Sequence, residues 1–316
     1  MKPFVAMGRA LDRYLGRGPY FALRSRFEPE WEYSQLAYAR VVSAHLNSAT
    51  RWLDAGCGHQ SFADELEEEE RKMSWESRLA VGCDIGYSAL RKHRSLDKNV
   101  CCTLAELPFS DSSFNLVTLN NVVEHLEKPE VVFREFARIL ESDGRIVVHT
   151  PNAGSWLIRV IRFGRRLLPE TLVLRFIRFL EFREPEDVFP THYRANTPKK
   201  LSEILGNAGF EEEQVLLIPG GHLFRFAAPL VIPEMLLNRF LNRSGWRELA
   251  CAVMLVTYRR IRQTSTDDCA RGRYQTNPQT AKREQVSDIF QVPRKIVGSE
   301  ERVPPSAPTN RTGQPS

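Results

Sequence analysis

The chain has 316 residues, 42% of them hydrophobic and 26% charged, with a formal net charge of +5. Those figures suit one large domain with extensions or two modest ones, and they disfavour collagen-like, mostly disordered and disulfide-scaffold classes. No apolar run reaches the ~18–20 residues of a membrane span, and Met1–Leu11 lacks the apolar core of a secretory signal. The expectation is a cytoplasmic protein, at most peripheral at a membrane.

Residues 1–30 read as an N-terminal extension. Trp31–His45 follows as a helix, with Leu36, Val42 and Leu46 near helical spacing. Arg51–Ala55 is a short apolar strand carrying Asp54, and it runs into a Gly56-Cys57-Gly58 turn. Phe62–Met73 is a charged helix in which Glu67 and Glu68 stand four residues before Arg71 and Lys72. The Glu67–Glu70 run therefore reads as a solvated helix face and not as a metal site. Leu79–Cys83 is a second strand, ending at Asp84, and Ser88–Arg94 is a short helix. Val100–Leu104 and Phe114–Leu119 are the third and fourth strands. Pro129–Leu140 is a helix with Val132, Phe136, Ile139 and Leu140 on its apolar side. A Ser142-Asp143-Gly144 turn leads into a fifth strand, Arg145–His149.

Strands alternating with helices at this spacing predict an α/β, doubly wound and mostly parallel sheet, because parallel neighbours need crossover connections. Ligands of such sheets bind beyond the carboxyl ends of the strands. Residues 31–154 are the expected ligand-binding core.

Residues 155–190 form a basic insert after strand 5. Seven arginines between 155 and 183 face only Glu170 and Glu181, and Arg159, Arg162 and Arg166 keep helical spacing, as do Arg175 and Arg178. Two short amphipathic helices broken at Pro169 are expected. They read as an anion-clamping lid, as a membrane-surface element through 155–183, or as a packed cap with solvated arginines. Residues 191–262 complete the domain, with a helix over Leu201–Ala208 closed by Gly209. Gln214–Ile218 and Ala250–Tyr258 are the last strands, paired as an antiparallel edge. Residues 263–316, rich in Thr, Gln, Asn, Arg and Pro, read as a disordered tail. The positive charge thus belongs to the insert and the tail, which argues against nucleic acid as a partner. The six cysteines (57, 83, 101, 102, 251 and 269) contain no CxxC pair, against a disulfide framework or zinc site.

The polar residues at strand ends carry the chemistry. Gly56 and Gly58 permit positive φ and close approach of a ligand to the backbone. Asp84 at the end of the next strand can accept both hydroxyl hydrogens of a ribose. A dinucleotide would want glycine or alanine at the sixth position of the loop, where Ser61 stands.

Taken in order, Leu53-Asp54-Ala55-Gly56-Cys57-Gly58, Gly82-Cys83-Asp84-Ile85, Ala105-Glu106-Leu107-Pro108-Phe109, Val122-Val123-Glu124-His125-Leu126 and Arg145–Asn152 resemble the class I S-adenosylmethionine-dependent methyltransferases, in particular the UbiE/UbiG-like small-molecule group (methyltransferase type 11). The resemblance runs from Arg51 to Asn152 and resumes over His192–Phe210. It implies a seven-stranded Rossmann-like sheet, S-adenosylmethionine as cofactor, and transfer by in-line displacement from the sulfonium. It also implies that Gly56 and Gly58 line the methionine portion, with Asp54 supporting the loop. Asp84 would hold the ribose, Ile85 would pack on the adenine, Glu106 and Leu107 would flank its edge, and Asn120 would contact the cofactor through backbone or side chain.

The chain departs from the pattern at Gln60, where the group has a third glycine, and at Asn115, where it has an acid. His125 can accept a proton from a substrate hydroxyl, although it reads equally as a helix-start histidine that packs structurally. Some relatives bind metal through Glu-x-x-Glu-His, but Asn121 replaces the first glutamate here, so no metal is expected. His192 and Tyr193 border the acceptor side. The resulting expectation is a methyltransferase acting on a small-molecule or lipid- or glycan-linked acceptor, at oxygen. A catalytically silent binding or scaffold protein of the same fold and a nicotinamide-dependent oxidoreductase are the alternatives.

Overall fold

A computed structural model describes residues 17–28, 31–167, 190–224 and 228–261. The tail expected to be disordered, the second half of the basic insert and the first part of the N-terminal extension lie outside the described residues. The rest of the extension contains helix α1, Arg17–Phe27, followed by α2, Ser34–Ala44.

The sheet has the strand order β3-β2-β1-β4-β5-β7-β6. Its strands are β1 Arg51–Ala55, β2 Leu79–Asp84, β3 Asn99–Cys101, β4 Phe114–Asn120, β5 Leu140–Pro151, β6 Phe210–Ile218 and β7 Val253–Arg260. β1 pairs in parallel with both β2 and β4, so the chain reverses its direction of winding at β1. The ligand crevice of an open α/β sheet forms at such a reversal. β7 lies between β5 and β6 and runs antiparallel to both. The expected antiparallel pairing of the last two strands is present, with β6 alone at the edge. Pro151 and Ile218 share the Val253 register, which brings the end of β6 to the same side as the ends of β1 to β5.

The alternation of side chains across each strand builds two cores. Leu53, Val81, Val117, Val148 and Val256 face α5, Pro129–Ile139, and α7, Pro198–Asn207, through Phe133, Phe136, Leu201 and Leu205. On the opposite face Trp52, Leu116, Val147 and Leu255 meet Tyr38 and Val42 of α2, together with Phe62, Leu66 and Met73. Helix α5 begins at a proline, whose missing N–H matters least in a first turn. Thr197 caps α7 by accepting the Lys200 amide, again with proline just inside.

The structure redraws several boundaries. The segment expected to be one helix from Phe62 is a short 3₁₀ turn at Asp64–Leu66 and then α3, Glu67–Glu76. Glu70 is fully buried and does not belong to a solvated face, because its carboxylate binds Arg94, Ser95 and two loop amides. The helix expected at Ser88–Arg94 is one turn, α4, Tyr87–Leu90, and the third strand stops at Cys101. Asn115 locks β4 to β1 by accepting the Arg51 amide at 2.9 Å. After β5, helix α6, Trp156–Leu167, is the described part of the insert. Between β6 and β7 lie α8, Ala228–Arg243, and the single turn α9, Arg247–Ala250.

Phe136→Ala, at a fully buried position, should lower the unfolding free energy by about 3–5 kcal/mol. Trp75→Ala, 75% exposed, should change it by less than about 0.5 kcal/mol. Urea titrations of the two variants test this assignment of the core.

Candidate cofactor and active site

The loop after β1 is tied to the end of β2 by its own backbone. Gly56 and Cys57 both donate to the Cys83 carbonyl, at 2.7 and 3.1 Å. Gly58 donates to Asp84 Oδ2 at 2.9 Å, and Gly86 donates to Asp84 Oδ1 at 2.7 Å. Gly56 has φ +73°, and a Cβ there would lie 2.5 Å from Val122 Cγ2. Gly58 has φ +55°, but the space beside it is open. Both glycines thus answer a left-handed backbone, and the first answers close packing against Val122 as well.

Beneath the loop, Asp54 Oδ1 accepts the Thr118 hydroxyl at 2.7 Å, and Thr118 in turn accepts the Trp52 indole N–H at 2.8 Å. Burial pushes Asp54 up to about 7, against the pull of the Ser61 and Thr118 hydroxyls. The far end of the loop is held by Glu70, which accepts the Ser61 amide at 3.0 Å and binds Arg94 at 2.6 Å.

At the end of β4 the Asn120 side chain is fully engaged. Its Nδ2 donates to Gln35 and to the Ser61 carbonyl, while its Oδ1 accepts from Gln35 and from His149 Nδ1 at 2.8 Å. A carbonyl oxygen only accepts, so His149 carries its proton on Nδ1. Burial holds His149 down at about 4, which keeps the ring neutral. The Asn120 side chain is thus a brace between α2, the glycine loop and β5.

His125 lies in the 3₁₀ turn Val123–His125 that follows β4. Its Nδ1 lies 2.8 Å from the Pro190 carbonyl. That contact puts the proton on Nδ1 and makes Nε2 the basic nitrogen, 3.9 Å from Glu124 Oε1. The amides of His192 and Tyr193 both donate to the Glu124 carbonyl, so the two candidate histidines stand on segments that are bonded to each other. The His192 ring reaches within 3.7 Å of Glu127 Oε1. Glu124 also accepts the Thr150 hydroxyl, which accepts from Asn196 at 2.6 Å. Arg162 of α6 stacks over the Tyr193 ring at 4.9 Å.

The remaining predicted positions divide. Ile85 is 69% exposed, an apolar side chain presented just beyond β2. Glu106 is exposed, whereas Leu107 is buried in the core and its amide donates to Glu135 of α5. Sequence reasoning missed Gln35, Thr118, Glu70, Arg94 and Asn196. None belongs to a local motif, and each acts on a partner distant in the chain.

Between pH 3.8 and about 7 the folded protein holds a proton on Asp54 that the unfolded chain has released. This contribution to stability is complete below that window and is lost as pH rises through it. His93 and His149, both held near 4 by burial, act in the opposite sense up to their ordinary 6.5. Asp54→Asn should therefore remove a falling component of stability between those limits. The difference between wild-type and variant urea midpoints across the window isolates it, and a flat difference would show that Asp54 titrates normally.

The methyltransferase domain family matches residues 23–215, more than half of the chain. An uncharacterized protein of Methanocaldococcus jannaschii is 28% identical over 157 residues, covering 48% of this chain and 65% of that protein. Malonyl-[acyl-carrier protein] O-methyltransferase of Herminiimonas arsenicoxydans is 31% identical over 127 residues, covering 38% and 46%. The ubiquinone/menaquinone biosynthesis C-methyltransferase UbiE of Xylella fastidiosa is 25% identical over 198 residues, covering 57% and 74%. The chain spans less than two thirds of the length of the first two relatives. With this family match on a sheet ordered β3-β2-β1-β4-β5-β7-β6, the chain belongs to the class I S-adenosylmethionine-dependent methyltransferases.

Proposed function

We propose that this methyltransferase acts on an oxygen of a small-molecule or lipid- or glycan-linked acceptor, with His125 removing the acceptor's proton. The observation that carries this reading is the His125–Pro190 contact, which leaves Nε2 as the basic nitrogen beside the end of β4. A hydroxyl becomes a competent nucleophile only as its proton leaves, and a positioned imidazole is suited to that task near neutral pH. Glu124, at 3.9 Å from Nε2, would stabilise the imidazolium that results. His192, on the facing segment, is the second candidate, as a wall of the acceptor site. The malonyl-[acyl-carrier protein] relative, an O-methyltransferase by name, agrees with oxygen; the UbiE relative is a C-methyltransferase by name.

S-adenosylmethionine, when bound, supplies an electrophilic methyl group on a sulfonium. The chain's residues fit it. Each Asp84 carboxylate oxygen accepts one amide and keeps a lone pair for a ribose hydroxyl. The open space at Gly58 lets a ligand approach the backbone, and Gly56 keeps Val122 close beneath the loop. Ile85 offers apolar surface to a purine face, with Glu106 at its edge. Leu107 would act from the core, by shaping the loop that carries Glu106. Asn120, its side chain spent, would meet the cofactor through its backbone. Asp54 supports the loop from below. In this reading residues 31–154 hold the cofactor, and α6 with residues 191–262 surrounds the acceptor. Arg162, stacked on Tyr193, ties α6 to the His192 segment.

Calorimetric titration with S-adenosylhomocysteine tests the cofactor assignment. Asp84→Ala and Gly56→Ala should abolish binding, the latter because the added methyl meets Val122. Gly58→Ala should still bind, with stability lowered by about 1–2 kcal/mol from the left-handed backbone. Equal binding by the Asp84 variant and the wild type would refute the ribose role.

For the base, His125→Ala should slow transfer from tritium-labelled S-adenosylmethionine into solvent-extractable product by about 10²–10⁴-fold, with S-adenosylhomocysteine affinity unchanged. A loss confined to His192→Ala would move the role to that residue.

A further inference from the structure

A surface helix in water turns its apolar arc inward and its polar arc outward. Helix α8 departs from this: it is apolar on both sides, and its two inward polar residues fix which apolar side is left outside. Its buried side carries Glu234 and Asn238 beside Val231, Met235 and Leu241. These polar groups are committed: Glu234 accepts the Leu223 and Phe224 amides at 2.8 and 3.0 Å, and Asn238 accepts the Trp156 indole N–H at 2.8 Å. Rotating the helix to hide its outward apolar side would strand a carboxylate and leave two backbone amides unpaired. The orientation is therefore locked from within.

The outward arc is apolar. At 100° per residue, Leu230, Pro233, Leu237 and Phe240 fall on one stripe with Leu236 beside it, and the exposed leucines and phenylalanine are 44–66% accessible. No acidic residue lies on this arc, since Glu234 is the helix's one acid and faces inward. Arg243 closes the stripe, and Trp246, Arg247 and one acid, Glu248, stand exposed in the turn beyond it. Helix α6 joins α8 through Trp156 and exposes Arg159, Val160, Ile161 and Phe163. Helix α8 follows the end of β6, on the side of the sheet where the strand ends gather.

We infer that the outward face of α8, with Trp246 and the exposed part of α6, seats the enzyme on an anionic lipid bilayer. A convex apolar ridge edged by arginines and a tryptophan matches the acyl boundary and its negative headgroups together. No described helix is long and apolar enough to cross a membrane, so the contact is a surface one. The inference deepens the lipid-linked acceptor reading and identifies α8, not the arginines of 155–183 alone, as the docking element.

Flotation of the full chain with phosphatidylcholine–phosphatidylglycerol vesicles, and with phosphatidylcholine alone, tests it. Wild-type protein should float with the anionic vesicles and lose binding in high salt. Phe240→Glu and Leu237→Glu should weaken flotation by about tenfold or more, and the Arg243→Gln/Arg247→Gln pair should flatten the salt dependence. Both apolar positions are exposed, so S-adenosylhomocysteine titration should be unchanged; intact titration with lost flotation separates docking from the methyltransferase assignment. Absence of flotation, or equal flotation by wild type and Phe240→Glu, overturns the inference. A concentration-dependent dimer broken by Phe240→Glu, without vesicle binding, overturns it too and makes the face a contact between copies.

Discussion

Three successive amides of one loop, from Gly56, Cys57 and Gly58, are donated to two successive residues of the next strand, Cys83 and Asp84. The remainder of the ligand side is built around that junction. It sets the distance between β1 and β2 at their ends and aims the Asp84 carboxylate. It also requires a backbone conformation that glycine adopts with little strain, with Val122 packed against the first glycine from the neighbouring strand end. Because β1 pairs in parallel on both sides, the same loop lies where the winding reverses and a crevice must open.

A second regularity runs through the ligand side: carboxylates fasten its loops. Asp84 holds Gly58 and Gly86, Glu70 holds Ser61 and Phe62, Glu135 holds Leu107, and Glu234 holds Leu223 and Phe224. An ionised carboxylate is a strong acceptor, and loop amides are donors with no ladder to join. Each pairing answers both needs. The arrangement fastens loops that have no regular secondary structure of their own.

Much of this was legible beforehand. The central strands, the glycine loop and the acid at the end of β2 announce themselves through short-range pattern, because strand alternation and turn chemistry depend on neighbours in sequence. The basic insert was visible as a run of arginines, although only α6 of it is described. The readings that changed concern side chains whose partners are remote. Glu70 looked solvated because it closes a run of four glutamates, two of which stand four residues before Arg71 and Lys72, yet Arg94 and the loop amides of Ser61 and Phe62 claim it. Asn120 was open to a ligand through backbone or side chain, and Gln35, 85 positions away, takes its side-chain amide. Local spacing carries no record of such meetings.

The sequence by itself determined the alternation of strands and helices, the order of the motifs and the residue types at the strand ends, since these follow from periodicity and residue type over a few positions. Tertiary structure decided which nitrogen of His125 is basic, through the carbonyl of Pro190, 65 positions away. It decided that the arc of α8 bearing Glu234 turns inward, through the Leu223 and Phe224 amides and the Trp156 indole. The physical reason is common to both. A hydrogen bond has direction and a single partner at close range, so its outcome is set only when distant segments are brought together.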